Sequence, residues 1–142
     1  MGDLYLNRKI DLFLRAWKKN PERKPLIVKG PRQVGKTESI RRFAAQNYES
    51  VIYINFVEEP KYKLITEDGY RAEDIVKNIS RMDPSKRFQP EQTVLIFDEI
   101  QDFASIATSL KFFKIDGRFD VICSGSLLGI NYREIESNSV GY

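Results

Sequence analysis

The sequence predicts an α/β fold in which a parallel sheet lies between two layers of helices. Short apolar runs rich in β-branched residues alternate along the chain with segments whose apolar residues recur every three or four positions. Strands that alternate with helices in this way form parallel sheets with right-handed crossovers. The chain has 142 residues, a length that buries an adequate core without metal or disulfide staples. We therefore expect one three-layer α/β/α domain over residues 1–142.

The first predicted elements are an amphipathic helix and a short buried strand. The helix is predicted at about 7–20, where Ile10, Phe13, Leu14 and Trp17 recur with helical spacing. Two prolines follow and end this pattern. The apolar run at 26–29 is then predicted to be the first strand of the sheet.

Three further strands and three further helices are predicted beyond the first strand. The helices are expected at 36–46, around 72–80 and after the third strand, where apolar residues again show helical spacing. The strands are expected at 51–56, 93–97 and 119–123, which are rich in β-branched and aromatic residues. No internal repeat or linker divides the chain, so a single domain is the simplest interpretation.

Composition excludes several classes of protein. No apolar run approaches the roughly 20 residues of a membrane helix, and charges interrupt the N-terminal segment, unlike a signal peptide. We therefore expect a cytoplasmic location. The single cysteine, Cys123, excludes an internal disulfide and is read as a small buried strand residue. Histidine is absent, so catalysis would depend on carboxylates, Lys, Arg, hydroxyls or a bound metal.

The segment GPRQVGKT fits the Walker A pattern G-x-x-x-x-G-K-[ST] and lies between a predicted strand and a predicted helix. Its glycines let the backbone approach phosphates, the Lys36 ammonium reaches the β and γ oxygens, and the Thr37 hydroxyl can hold Mg²⁺. The pattern therefore predicts a nucleotide phosphate site. The expected binding residues are Gly30, Pro31, Arg32, Gln33, Val34, Gly35, Lys36, Thr37 and Glu38.

Two carboxylates follow the third strand, where α/β sheets bind their ligands. We expect Asp98 to reach the magnesium shell through water, although a strand-end carboxylate could instead cap the next helix, for which Asp102 is better placed. Glu99 is expected to polarise an attacking water, a task that falls to a carboxylate in a chain without histidine. The alternative for Glu99 is a solvated loop acid.

Two serines after the predicted fourth strand could bind the γ-phosphate or the attacking water, or could simply form a turn. Ser124 is placed slightly ahead of Ser126 because it lies closer to the strand. The predicted catalytic residues are thus Glu99, Lys36 and Ser124, and the predicted metal ligands are Thr37 and Asp98. Glu58 and Glu59, after the second strand, either belong to a solvated loop or lie near the metal, and the loop is the preferred interpretation.

Basic residues leave a nucleic-acid surface open as an alternative. Acids interrupt these groups, and the net charge is only +3, from 23 basic and 20 acidic residues, so solvated helix faces are the simpler interpretation. The residues concerned are Lys18, Lys19, Arg23, Lys24, Arg41 and Arg42.

The segments GPRQVGKT, VIYINF, VLIFDEIQ and ICSGSLLG together resemble the AAA-like P-loop ATPase family of bacteria and archaea. The resemblance covers nearly the whole chain. It implies a P-loop NTPase fold with the sheet order 5-1-4-3-2, with ATP and Mg²⁺ as cofactors. It also implies phosphate binding by Gly35, Lys36 and Thr37, metal binding by Asp98 and water activation by Glu99.

Chains of this family usually continue into a C-terminal domain of unknown function, which we expect to be missing here. The final residues, SNSVGY, resemble the lead-in to the family's fifth strand. We therefore expect the fifth strand to be missing and the first strand to be an uncovered edge. Such an edge would favour self-association, and it would loosen the phosphate loop so that the chain alone hydrolyses ATP poorly.

The predicted function is binding and Mg-dependent hydrolysis of ATP, as the motor or switch half of a larger protein. One alternative is a nucleotide-dependent binding or signalling module with little hydrolysis, and another is a nucleic-acid remodelling ATPase. The expected partners are ATP and the missing C-terminal domain, and a homo-oligomer is an open alternative. Arg133 is the best local candidate for an inter-subunit arginine finger, although a surface arginine is the simpler interpretation.

Overall fold

The computed structural model describes residues 2–29, 36–126 and 140–141. The strands are β1 (Leu26–Lys29), β2 (Ser50–Asn55), β3 (Thr93–Asp98), β4 (Asp120–Gly125) and β5 (Val140–Gly141). The α-helices are α1 (Gly2–Lys19), α2 (Lys36–Asn47), α3 (Ala72–Met82) and α4 (Leu110–Asp116). Two 3₁₀ segments, Pro60–Thr66 and Ile100–Ser109, complete the described elements. The predicted alternation of strands and helices is confirmed.

The strands form one sheet in the order β2-β3-β4-β1-β5, and its paired strands are all parallel. This is the order 5-1-4-3-2 that the family resemblance implied. The expectation of a missing fifth strand is wrong, because Val140 pairs with Leu26 and Gly141 pairs with Ile27. Hydrogen bonding to both β4 and β5 makes β1 an inner strand. Self-association was predicted because β1 was expected to be an uncovered edge strand, and that reason no longer applies.

Each face of the sheet packs against helices. On one face, α1 and α2 bury an apolar cluster against alternating residues of β1, β3 and β4. On the other face, α3, α4 and the two 3₁₀ segments bury a second cluster against the same strands and β2. Because both faces are covered, β3 is buried along its whole length, as expected of a central parallel strand. The three-layer α/β/α architecture is confirmed.

Several element boundaries differ from the predicted ones. The first helix begins at Gly2 rather than near residue 7. The predicted helix after β3 is a 3₁₀ segment with a non-helical kink at Phe103, followed by the short helix α4. Strand β4 extends through Ser124 and Gly125, since these residues pair with Val28 and Lys29 of β1. Pairing with a distant strand, which local sequence does not encode, sets this last boundary.

None of the helices in the described parts of the chain is long and apolar enough to span a membrane.

Candidate functional site

A cleft of about 340 Å³ lies at the carboxyl ends of the strands, beside the start of α2. This edge of a parallel sheet is where α/β proteins bind their ligands, and the helix terminus adds backbone N–H groups that favour an anion. The residues that line the cleft are Lys36, Thr37, Arg41, Tyr53, Asn55, Glu58, Asp98, Glu99 and Ser126.

Lys36 opens α2, and its side chain points to the end of β4. The residue is only 8% exposed, which is unusual for lysine because burying an ammonium group is costly without polar partners. Its Nζ atom donates a hydrogen bond of 3.2 Å to the backbone carbonyl of Gly125. The positive charge is therefore held at the cleft, which Lys36 lines.

Asp98, the last residue of β3, is held by three hydrogen-bond donors. The Thr37 hydroxyl and the Tyr53 phenol both donate to Oδ2, at 3.0 and 2.6 Å. The backbone N–H of Glu99 donates to Oδ1 at 2.8 Å. The residue is 3% exposed, and the three donors fix the direction of its carboxylate toward α2. Asp98 does not act as a helix cap in this arrangement, which favours the predicted site role over the capping alternative.

Tyr53 belongs to the site, and the sequence interpretation missed it. Burial and the hydrogen bond to Asp98 raise the pKa of its phenol well above the ordinary value, so the group remains a donor. The Arg41 guanidinium lies 4.2 Å from the centroid of the Tyr53 ring, a cation–π distance. In strand β2, Tyr53 and Asn55 share a face by the two-residue period of a strand. This alternation of polar residues in an otherwise apolar strand is the sequence pattern that could have indicated Tyr53 as a site residue.

Asn55 shapes the turn after β2. Its Oδ1 atom accepts hydrogen bonds from the backbone N–H groups of Val57 and Glu58, at 2.9 and 3.0 Å. Asparagine side chains that bond to the backbone two or three residues on are typical of turns. The turn brings Glu58 to the cleft beside the predicted metal ligands, which is the alternative that the sequence left open to a solvated loop acid.

Glu99 adopts a left-handed backbone conformation, with φ 57° and ψ 45°. For a residue other than glycine this conformation costs about 1–3 kcal/mol, and such strain is concentrated at functional sites. The Glu99 carboxylate accepts a 2.5 Å hydrogen bond from the Gln101 side chain. The strained backbone and this bond place Glu99 at the cleft, next to Asp98. The water-activating role of Glu99 stays a prediction.

The structure separates the two predicted serines. Ser124 lies within β4 rather than after it, is 1% exposed, and does not line the cleft. Its Oγ atom has no hydrogen-bond partner within the described part of the chain. Ser126, the residue directly after β4, does line the cleft. The preference for Ser124 is therefore corrected in favour of Ser126, because β4 is longer than predicted.

Part of the predicted phosphate loop lies outside the described residues. This applies to Gly30, Pro31, Arg32, Gln33, Val34 and Gly35, and also to Arg133. Of the remaining predicted site residues, Lys36, Thr37, Asp98 and Glu99 come together at the cleft, whereas Glu38 is exposed on α2 and does not line it. Cys123 is buried in β4, as predicted, and burial raises the pKa of its thiol.

The oxygen donors at the cleft fit Mg²⁺. Within the described ranges, no group of three or more His, Cys, Asp or Glu side chains could hold a metal by itself. Mg²⁺ bound with a nucleotide needs only one or two protein oxygens, because phosphates and waters complete its shell. The Thr37 hydroxyl donates its proton to Asp98 and keeps its oxygen lone pairs for a cation. Thr37 and Asp98 are therefore a suitable pair of ligands.

The fold and the cleft together define a P-loop-type nucleotide-binding domain. The sheet order places the helix that follows β1 beside the acidic end of β3, with Lys36, Thr37, Asp98 and Glu99 around one cleft. The family model described as "AAA domain" matches residues 22–142. The chain therefore belongs to the AAA domain family and is an AAA-like P-loop ATPase by family. No curated protein sequence matches the chain significantly.

Solved structures share the fold at low sequence identity. C. elegans PCH-2 is 14% identical with a TM-score of 0.57, and the match covers 96% of this chain and 42% of PCH-2. The Thermotoga maritima RuvB Holliday junction branch migration motor is 12% identical with a TM-score of 0.54, covering 96% of this chain and 43% of RuvB. A chain of Drosophila ORC bound to DNA is 13% identical with a TM-score of 0.57, covering 99% and 90%. This chain spans less than half the length of the first two.

Proposed function

We propose that this ATP-binding AAA-like domain hydrolyses ATP with Mg²⁺, as the motor or switch half of a larger protein. The observation that carries the proposal is the convergence of Lys36, Thr37, Asp98 and Glu99 on one cleft, although the first and last are far apart in sequence. A larger protein is supported by the coverage of the longer neighbours. A C-terminal partner domain and a cytoplasmic location remain part of this proposal.

Each side chain has a distinct role in the proposed reaction. The Lys36 ammonium exchanges the Gly125 carbonyl for a phosphate oxygen, a stronger charge-assisted partner. Thr37 and Asp98 would hold Mg²⁺, which when bound neutralises charge on the phosphates. Glu99 accepts the proton of the water that attacks the γ-phosphate. Most of the rate enhancement then comes from positioning and charge neutralisation, as in other phosphoryl transfers.

Titration calorimetry tests nucleotide binding. Lys36→Ala is expected to lose most of the affinity for Mg-ATP, because the ammonium that faces the phosphates is removed. Lys77→Ala, which alters an exposed lysine of α3, is the matched control and should bind like wild type. Equal affinities of wild type and Lys36→Ala for Mg-ATP would show that the cleft does not bind the nucleotide.

Steady-state turnover tests hydrolysis. Glu99→Gln is expected to bind Mg-ATP normally and to lose turnover, because the amide keeps the shape of the side chain but cannot accept the proton. If Glu99→Gln turned over at the wild-type rate, the water would have to be activated by another group. A different outcome is a wild-type protein that binds ATP tightly and hydrolyses it no faster than Glu99→Gln does. That result would favour the alternative function, a nucleotide-dependent binding or signalling module with little hydrolysis.

A nucleic-acid remodelling ATPase is the second candidate. Two structural neighbours are a Holliday junction branch migration motor and a chain of ORC bound to DNA, and α2 exposes Arg41 and Arg42 beside the cleft. One of these charges is already compensated, since Arg42 lies 3.3 Å from Asp11. Stimulation of turnover by DNA or RNA, with binding that weakens steeply as salt rises, would support this function.

A further inference from the structure

The peptide unit between Gly125 and Ser126 is held from both sides at the end of β4. Its carbonyl oxygen accepts the hydrogen bond from Lys36 Nζ at 3.2 Å. Its N–H group, which belongs to Ser126, donates to Oε1 of Gln101 at 3.2 Å. The other end of the same Gln101 amide donates through Nε2 to Oε2 of Glu99 at 2.5 Å. A continuous set of hydrogen bonds thus joins the phosphate-binding lysine to the carboxylate that is proposed to activate water.

Gly125 provides the room for this arrangement. A Cβ atom at this position would lie 2.9 Å from Oε1 of Gln101 and 2.9 Å from Cγ1 of Ile100. Both distances are shorter than van der Waals contact allows, so a side chain here would displace the Gln101 amide. The backbone of Gly125 is not in the left-handed region. Glycine is therefore needed here because it leaves space for the Gln101 side chain, and not because of its backbone conformation.

The two ends of the Gln101 amide are not interchangeable. The Glu99 carboxylate needs a donor and the Ser126 N–H needs an acceptor, so one orientation of the amide satisfies both groups and the reverse satisfies neither. Alanine removes both bonds. A glutamate at this position would set a second carboxylate against Glu99.

We propose that Gln101 is a positioning residue, which fixes the Glu99 carboxylate relative to the Gly125–Ser126 peptide at the end of β4. This inference rests on the proposed role of Glu99. Glu99 has a strained backbone directly after β3, whereas the peptide lies at the end of β4. Gln101 therefore connects Glu99, the proposed water-activating residue, to the end of β4. Lys36 of the proposed phosphate site makes its hydrogen bond at the same strand end. Gln101 acts through Glu99 and does not itself contact the nucleotide.

Gln101→Ala separates positioning from binding in steady-state kinetics. We expect kcat to fall about 10- to 100-fold, because a misplaced catalytic group loses rate steeply, while the KM and Kd for Mg-ATP stay within about twofold of wild type. Gln46→Ala, at an exposed glutamine of α2, is the matched control and should retain wild-type kcat. Gly125→Ala should reproduce the loss of kcat by displacing the amide.

A double-mutant cycle and an NMR measurement identify the route of the effect. Adding Gln101→Ala to Glu99→Gln should cause no further loss of turnover. A residue that acts only through the Glu99 carboxylate has no effect on kcat once that carboxylate has been removed. In nucleotide-free protein, the side-chain amide resonances of Gln101 should move in Glu99→Ala and stay unchanged in Glu38→Ala. Unmoved resonances in Glu99→Ala would overturn the inference without reference to turnover.

The outcomes distinguish this inference from the proposed function. If Glu99→Gln abolishes turnover but Gln101→Ala keeps wild-type kcat, the positioning role is overturned and the proposed hydrolysis stands. If Glu99→Gln turns over like wild type, the proposed water-activating role of Glu99 fails, and the NMR comparison alone decides whether Gln101 holds Glu99. A raised KM with unchanged kcat in Gln101→Ala would also overturn the inference, because it would indicate a binding role.

Discussion

The hydroxyl of Thr37 donates a 3.0 Å hydrogen bond to the carboxylate of Asp98, across 61 positions of sequence. This bond joins the start of α2 directly to the end of β3. The two halves of the proposed nucleotide site are therefore already in register in the described structure. Magnesium and nucleotide would meet oxygen donors that need little rearrangement, which lowers the cost of binding.

Asp98→Asn is expected to weaken the dependence of ATP binding on magnesium. The amide keeps the size of the side chain but replaces a charged oxygen donor, so Mg²⁺ should add much less affinity than it does in wild type. Calorimetric titrations with ATP in magnesium and in EDTA measure this difference. Asp74→Asn, on α3, should keep the wild-type difference. An undiminished gain from magnesium in Asp98→Asn would exclude Asp98 from the metal shell.

Tyr53→Phe is expected to destabilise the fold by about 1 kcal/mol, because Asp98 loses one of its three donors inside the protein. The ring and its contact with Arg41 are retained, so the change isolates the hydroxyl. Urea denaturation measures the free energy of unfolding. Tyr70→Phe is the control, with an expected change within about 0.5 kcal/mol. Equal effects of the two substitutions would show that the Asp98 bond contributes no stability.

Stability is expected to decline at alkaline pH. Burial, followed by the hydrogen bond to Asp120, raises the pKa of Tyr48, and burial also raises the pKa values of Tyr53 and Cys123. Between the unfolded and folded pKa values, the unfolded chain has lost protons that the folded chain retains. The free energy of unfolding should therefore be constant up to about pH 8 and then fall, by about 1.4 kcal/mol per pH unit for each such group.

Urea denaturation between pH 7 and 11 measures this decline. Tyr48→Phe removes one titrating group and should make the decline above about pH 10 shallower, even though the variant is less stable at neutral pH. A stability that stays level to pH 11 in wild type would contradict the buried, protonated state of these side chains.

Helix α1 offers a matched pair of leucines for testing its contribution to the core. Leu14 is fully buried against α2 and the sheet, whereas Leu12 is 60% exposed. Leu14→Ala is expected to cost about 2–5 kcal/mol through lost burial and a residual cavity. Leu12→Ala should change the free energy of unfolding by less than about 0.5 kcal/mol. Similar values for both would mean that α1 is not docked as described.

The sequence predicted the elements that depend on local pattern. The strand at Leu26–Lys29 and the buried run before Asp98 follow from short apolar segments, and Lys36 and Thr37 follow from a motif with fixed spacing. Ser124 was misplaced because pairing with Val28 extends β4, and the end of a strand is set by its neighbour. Strand β5 was missed because two paired residues have no periodicity to recognise.

Contacts between side chains from different strands were beyond local pattern. Tyr53 reaches Asp98 because β2 and β3 are neighbours in register, with Asn55 opposite Asp98. Gln101 reaches Ser126 because β4 lies beside β3. Neither pairing partner can be read from one sequence, since register is fixed by the sum of packing over whole strands. The residues of the sequence motifs were therefore easier to predict than the residues that contact them.

The position of β1 in the sheet also constrains the order in which the molecule folds. Strand β1 hydrogen-bonds to β4 and β5, which come last in the chain, and Arg23, just before β1, binds Asp120, 97 positions later. Strands β2 and β3 can pair earlier, whereas β1 must wait until the later strands have left the ribosome. The lysine and the acidic strand end therefore meet only after β4 and β5 have been synthesised. We expect ATP to stabilise the finished domain but not to assist the earlier steps of its folding.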